Sequence, residues 1–133
     1  MSDMYTERLL EHYRQPRRKG LLTADQAAAL PGQVLAVEEY NPLCGDRVTI
    51  QVRLEAGQVA EAHFEGRGCA LCLGAASILA ETVEGHALDA LHALDQAAFL
   101  AELESPIRPA RLKCALLPWI AFRRAAFGEE EPL

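Results

Sequence analysis

Arg47-Val48-Thr49-Ile50-Gln51-Val52-Arg53-Leu54-Glu55 is the stretch that decides the fold. Val48, Ile50, Val52 and Leu54 fall on one side of an extended chain; Arg47, Thr49, Gln51, Arg53 and Glu55 fall on the other. A period of two with a single apolar face predicts a strand in an antiparallel sheet covered on one side only. Ala56-Gly57 follows as a two-residue turn, and Gln58–Glu65 returns as a second strand with Ala60, Ala62 and Phe64 facing inward. Upstream, Val34–Tyr40 reads as a third strand with weaker alternation.

Outside these strands the spacing of apolar residues is helical. From about Ser2 to Gln15, Tyr5, Leu9 and Tyr13 repeat along one face, Ser2 or Asp3 can cap the start, and Pro16 and Gly20 end it. A short helical turn is expected at Ala24–Leu30, before Pro31-Gly32. Beyond Cys69, Leu71, Ala75, Ile78, Leu79 and Thr82 share a face until Gly85, and a further helical region runs from about Leu88 to Leu103. The last helix carries Leu112, Ala115, Leu116, Trp119 and Phe122, with Trp119 read as core. Pro118 costs little if regular helix begins at Ala115 or Leu116; otherwise a kink is expected. Strands followed by helices predict an α+β fold, a three-stranded antiparallel sheet with helices packed on one face. The 133 residues are read as a single domain, residues 1–133.

Half the residues are hydrophobic and 24% are charged, which points to a globular chain rather than a disordered one. A formal net charge of -6 argues against general nucleic-acid binding. Basic residues gather only locally, at Arg14–Arg18 and Arg108–Lys113. The first cluster reads either as a solvated helix end or as a docking patch for an acidic partner. No apolar run reaches the length of a membrane span and no signal-peptide pattern opens the chain, so a cytoplasmic, membrane-free protein is expected. In that reducing setting cysteines are better read as metal-binding or reactive than as disulfides.

Three of the four cysteines stand where backbone geometry tends to display a thiolate. Cys44 lies in Asn41-Pro42-Leu43-Cys44-Gly45-Asp46, a turn leading into the decisive strand; Cys69 ends Phe64-Glu65-Gly66-Arg67-Gly68-Cys69; Cys114 opens the last helix. Strand ends, glycines and helix N-termini favour a depressed thiol pKa. An antiparallel pairing of the two strands would bring Cys44 and Asp46 near Cys69, and a helix on that sheet could supply Cys114. Three thiolates and the Asp46 carboxylate suit tetrahedral zinc or an iron–sulfur cluster. With a dication the set keeps a residual charge of about minus two, which Arg67, Arg111 and Lys113 are placed to balance. Asp46 has a second reading, as a turn residue alone, since Gly-Asp is good turn chemistry. Cys72, one turn into its helix, reads as packing, accessory ligand or redox partner. Cys69-Ala70-Leu71-Cys72 matches a redox C-x-x-C formally, yet that motif should follow a parallel strand. His12, His63, His86 and His92 lack ligand spacing and read as surface or edge residues.

Taken together, these motifs resemble the U-type iron–sulfur scaffold family: IscU, the N-terminal domain of NifU and, most of all, SufU. Resemblance covers nearly the whole chain. It runs through Leu10–Gly20, the Cys44 and Cys69 motifs, Ala75-Ala76-Ser77 and Arg111-Leu112-Lys113-Cys114-Ala115. It implies the SufU/NifU-like fold, with Cys44, Asp46, Cys69 and Cys114 binding zinc, iron or a transient [2Fe–2S] cluster. It implies a cysteine desulfurase as sulfur donor, apo iron–sulfur proteins as recipients, and Cys114 as the sulfur acceptor. A zinc-dependent sulfurtransferase is the alternative function, and a thiol–disulfide protein using Cys69 and Cys72 a lesser one. A monomer or weak homo-oligomer is expected. Lys113 matches SufU where IscU has histidine, whereas the Cys69–Cys114 segment is too short for the usual SufU insertion. Ser105-Pro106-Ile107-Arg108-Pro109 does not carry the proline-rich chaperone motif of IscU.

Overall fold

The structure, a computed structural model, describes residues 5–129. Strands β1 (Gln33–Asn41), β2 (Asp46–Glu55) and β3 (Gln58–Arg67) form an antiparallel meander in the order β1-β2-β3. Helices α1 (Glu7–Arg14) and α2 (Ala24–Ala29) precede them; α3 (Ala70–Val83), α4 (Leu88–Leu91), α5 (Gln96–Leu103) and α6 (Leu112–Phe127) follow. α6 packs on β1 and β2, α3 on β3 and β2, and α1 on α3. The α+β architecture expected from the sequence is the one observed.

β2 buries Val48, Ile50 and Val52 as the alternation requires. The turn to β3 places Ala56 and Gly57 both at positive φ, the two-residue geometry whose twist matches the strands. Inward facing in β3 is correct for Ala62 and Phe64 but not for Ala60. Arg53 pairs with Glu61 while Leu54 pairs with Val59, so Ala60 is an extra residue in a bulge. The bulge reverses the alternation, and Val59 takes the core position instead.

Residues Arg18–Gly20 close the outer edge of β3. Phe64 N–H donates to the Arg18 carbonyl at 3.0 Å, and Gly20 N–H donates to the Phe64 carbonyl at 2.7 Å. Gly20 sits at φ +106, where a side chain is strained, which explains the glycine after the basic cluster. That cluster is engaged within the chain: Arg14 pairs with Glu7, Arg17 with Glu11 and Arg18 with Glu84.

α3 is buried nearly all round, beyond the single face its spacing predicts. Its small residues allow close approach on α1: a Cβ on Gly74 would lie 2.9 Å from the Leu9 carbonyl oxygen. On α1 itself the buried pair is Leu9 and His12, and Tyr13 is exposed rather than inward. The expected caps Ser2 and Asp3 lie outside the described residues; Thr6 caps α1, its Oγ1 accepting from Leu9 N–H at 3.4 Å. The region Leu88–Leu103 is two helices, because Asp95 starts a new one by accepting from Ala98 N–H. α6 begins at Leu112, so Pro118 stands inside a continuous helix and not in its first turn. Proline has no N–H, and the carbonyl it fails to serve, four residues back, belongs to Cys114. Trp119 is core, with Nε1–H donating to the Leu94 carbonyl.

His12 is buried at 2% exposure, which corrects its reading as a surface residue. Ser77 Oγ accepts from Arg17 N–H at 2.8 Å and lies 2.8 Å from His12 Nδ1. The serine proton therefore suits Nδ1 as acceptor, leaving the neutral ring with its proton on Nε2, toward Glu81 at 3.6 Å. Burial first, then Arg17, lowers the His12 pKa below its usual 6.5. The unfolded chain then binds this proton more readily, so stability is held above pH 6.5 and lost as pH falls below it. Urea unfolding midpoints should drop between pH 7.5 and 5.5, and His12→Gln should flatten that drop. Parallel pH profiles for the two proteins would exclude His12 as its source.

Candidate metal and sulfur site

Two hairpin ends and two helix starts meet at one end of the sheet. The β1–β2 connection carries Cys44: Asn41 and Asp46 are paired, Gly45 N–H donates to the Asn41 carbonyl at 2.7 Å, and Leu43 N–H donates to Asn41 Oδ1 at 3.0 Å. Gly45 at φ +79 makes this reversal possible and leaves Cys44 exposed at its tip. Asp46, the first residue of β2, points inward and is only 3% exposed. Cys69 is the N-cap of α3, its sulfur accepting from Cys72 N–H at 3.4 Å. Cys114 is the third residue of α6 and is buried at 4% exposure.

Ligand atoms of Cys44, Asp46 and Cys114 all lie within 4.8 Å of one another. Cys69 joins this group through Asp46: its N–H donates to Oδ1 at 3.1 Å and its thiol to Oδ2 at 3.3 Å. Cys44 and Cys114 sulfurs are 3.5 Å apart. A tetrahedral zinc has S···S edges of about 3.8 Å and S···O edges of about 3.5 Å. The Cys44–Cys114 and Asp46–Cys69 pairs are thus close to two opposite edges of such a tetrahedron. All four cysteines are free thiols, and three soft sulfurs with one hard oxygen suit zinc or an iron–sulfur cluster. The donor set fits the metal that the sequence suggests.

The charge around the site differs from expectation in its details. Of the three basic neighbours, Arg111 is the one placed on sulfur, donating from Nη2 to Cys69 at 3.0 Å. Gly68 packs against Asp46 so closely that a Cβ would stand 2.8 Å from Oδ1, so the glycine is needed to seat the carboxylate. Cys114 does not have the depressed pKa expected of a helix start. Burial, then the contact with Cys44 and neighbouring negative charges, pushes its thiol up to about 12. Desolvation outweighs the helix dipole once the sulfur is covered on all sides. Cys72 is fully buried and its thiol is pushed up strongly, first by burial. Its packing role is the one the structure favours, and β3 is antiparallel, so the thioredoxin-like reading of Cys69 and Cys72 lacks its scaffold. Among the histidines, His86 and His92 are exposed and His63 pairs with Glu61; none joins the cysteine group among the described residues. Arg111 is one of the three basic residues expected to balance the thiolates, and the 3₁₀ turn at Pro109–Arg111 precedes α6 where its guanidinium reaches Cys69.

Such a meander backed by helices, with thiols and a carboxylate at one end, is the architecture of an iron–sulfur assembly domain. The NifU-like N-terminal domain profile matches residues 4–128, and the chain belongs to that family. The zinc-dependent sulfurtransferase SufU of Bacillus subtilis is 27% identical, over 98% of this chain and 94% of its own length. The iron–sulfur cluster assembly scaffold protein IscU of Escherichia coli K12 is 30% identical, over 91% of this chain and 90% of its own. The crystal structure of FiSufU from Fervidobacterium islandicum AW-1 shares the fold, with a TM-score of 0.73 at 22% identity, covering 92% of this chain and 96% of that one. Among the described residues no helix is long and apolar enough to cross a membrane.

Proposed function

We propose that this chain, as one domain over residues 1–133, is an iron–sulfur cluster assembly scaffold. It accepts sulfur from a cysteine desulfurase, holds iron or a nascent [2Fe–2S] cluster on Cys44, Asp46, Cys69 and Cys114, and passes it to apo-proteins in the cytoplasm. The observation that carries this reading is the convergence of Cys44, Asp46 and Cys114 within 4.8 Å, with Cys69 tied to Asp46 at 3.3 Å. Resident zinc on the same residues would hold the thiols as thiolates and fix the loop to the two helices. Its binding must release protons, since Cys114 starts with a raised pKa, so zinc affinity should rise with pH.

Cys44 is the exposed thiol of the four, and it supports entry of sulfur at Cys44 in place of Cys114. In that step a Cys44 thiolate attacks the outer sulfur of the donor persulfide. The donor S–S bond breaks, Cys44 becomes the persulfide, and the donor cysteine leaves as a thiolate. Cys114, 3.5 Å behind, is then a ligand next to the arriving sulfur.

A second reading, the zinc-dependent sulfurtransferase, is favoured by the same exposed thiol and by likeness to a relative bearing that name. One set of measurements separates the two. Purified protein should contain about one zinc per chain, retained in Cys72→Ser and depleted in Cys69→Ser. Anaerobic reconstitution with iron and sulfide should then give a stable [2Fe–2S] chromophore if the chain is a scaffold. Zinc and persulfide without a chromophore would mean transfer only. Equal zinc loss from Cys72→Ser would make Cys72 a ligand.

A further inference from the structure

The open face of the sheet carries a feature that the metal site does not use. Its side chains stand in rows set by register, and the row nearest the thiols is Tyr40, Arg47 and Arg67. Arg47 and Arg67 are directly opposite one another on neighbouring strands. Like charges so placed repel and destabilise a sheet. The next row, Glu38, Thr49 and Glu65, could relieve this but does so only on one side. Arg47 leans toward β1, over the Tyr40 ring at 4.9 Å and 3.6 Å from Glu38. Glu65 turns instead to the N–H of Gly66. Arg67 is exposed and has no ion-pair partner among the described residues. A groove of about 380 Å³ is lined by both arginines, Thr49 and Leu21, and also by Glu38 and Glu65, the first already engaged by Arg47 and the second turned to Gly66. Tyr40 and Leu43, 49% and 84% exposed, extend this surface to the Cys44 loop. Exposed Tyr and Arg beside a groove are the residue types enriched in protein-binding hot spots.

We propose that this arginine pair docks an acidic segment of the apo-protein that receives the cluster, a segment presenting neighbouring carboxylates to Arg47 and Arg67. This rests on the scaffold reading above. The two guanidiniums are bonded through the chain to the Asp46 and Cys69 side of the site, in Asp46-Arg47 and Arg67-Gly68-Cys69. Asp46 is the hard ligand among soft ones and so the one that leaves first for a recipient. Lys113, in contrast, lies on α6 in a second groove with Tyr40 and Pro42, beside the thiols at which sulfur enters. Tyr40 borders both surfaces, so donor and recipient would meet adjoining faces of the site.

Apo-[2Fe–2S] ferredoxin and a cysteine desulfurase serve as probes. In Arg47→Glu/Arg67→Glu the second-order rate of cluster transfer to ferredoxin at low salt should fall about tenfold or more, and its salt dependence should flatten. Arg67→Gln, which disturbs no partner among the described residues, should give a smaller loss in the same direction. Zinc content and the rate of persulfide formation with the desulfurase should stay at wild-type values in both. Unchanged transfer with an unchanged salt slope would overturn the proposal, as would an equal loss in persulfide formation, which would make this face the donor's. Titration of the zinc-loaded chain with apo-ferredoxin, followed by NMR, should shift amides of Tyr40, Thr49 and Glu65, and less so in the variants. If the wild type transfers no cluster, the scaffold reading fails; the docking face then falls too if that titration leaves these amides unmoved.

Discussion

Cys44→Ser should lower sulfur acceptance from a cysteine desulfurase by about a hundredfold, because a hydroxyl does not replace a thiolate in attack on a persulfide. Peptide mass spectrometry after incubation with desulfurase and cysteine should find the added sulfur mainly on Cys44 in the wild type. Cys114→Ser should still accept sulfur at first, since Cys114 is buried while Cys44 is exposed. Sulfur found chiefly on Cys114, with Cys44→Ser a full acceptor, would overturn this assignment in favour of the one the family resemblance implies. Such a result would also show that the Cys44 loop moves aside.

Asp46→Ala is expected to lengthen the lifetime of a bound [2Fe–2S] cluster and to slow its transfer to apo-ferredoxin about tenfold. The carboxylate is the only hard donor of the set, and without it no ligand is poised to leave. A cost in stability accompanies this change. Asp46 accepts both the N–H and the thiol of Cys69, and loss of a buried acceptor costs about 1–3 kcal/mol. Thermal unfolding of the zinc-free protein should show that cost, while the visible chromophore reports cluster lifetime independently of it. Faster decay with unchanged transfer would mean that Asp46 holds the cluster rather than releases it.

Arg111 links these two predictions. Its guanidinium on Cys69 at 3.0 Å supplies the nearest positive charge to a donor set that carries about four negative charges when ionised. That contact puts the nearest compensating charge on the Cys69 side of the site. Gly68 seats the Asp46 carboxylate against Cys69, since no side chain larger than hydrogen fits between them.

The sheet is legible in the chain order, because alternation in Arg47–Glu55 and the Ala56-Gly57 turn are local signals that specify which face is buried and where the strand reverses. Chain order also determined the four residues that meet, since Cys44 and Asp46 share a hairpin and Cys69 ends the strand that pairs with it. What only the tertiary structure decided is how each thiol is presented. A helix start lowers a thiol pKa when solvent or a cation is near, and in Cys114 burial reverses that outcome. The bulge at Ala60 arises from pairing between strands and is invisible in the alternation of one strand. His12 is buried because Ser77, sixty-five residues away, supplies its partner. Burial and desolvation are sums over distant neighbours, so the chain order names the candidate ligands and the packed fold sets which of them is exposed.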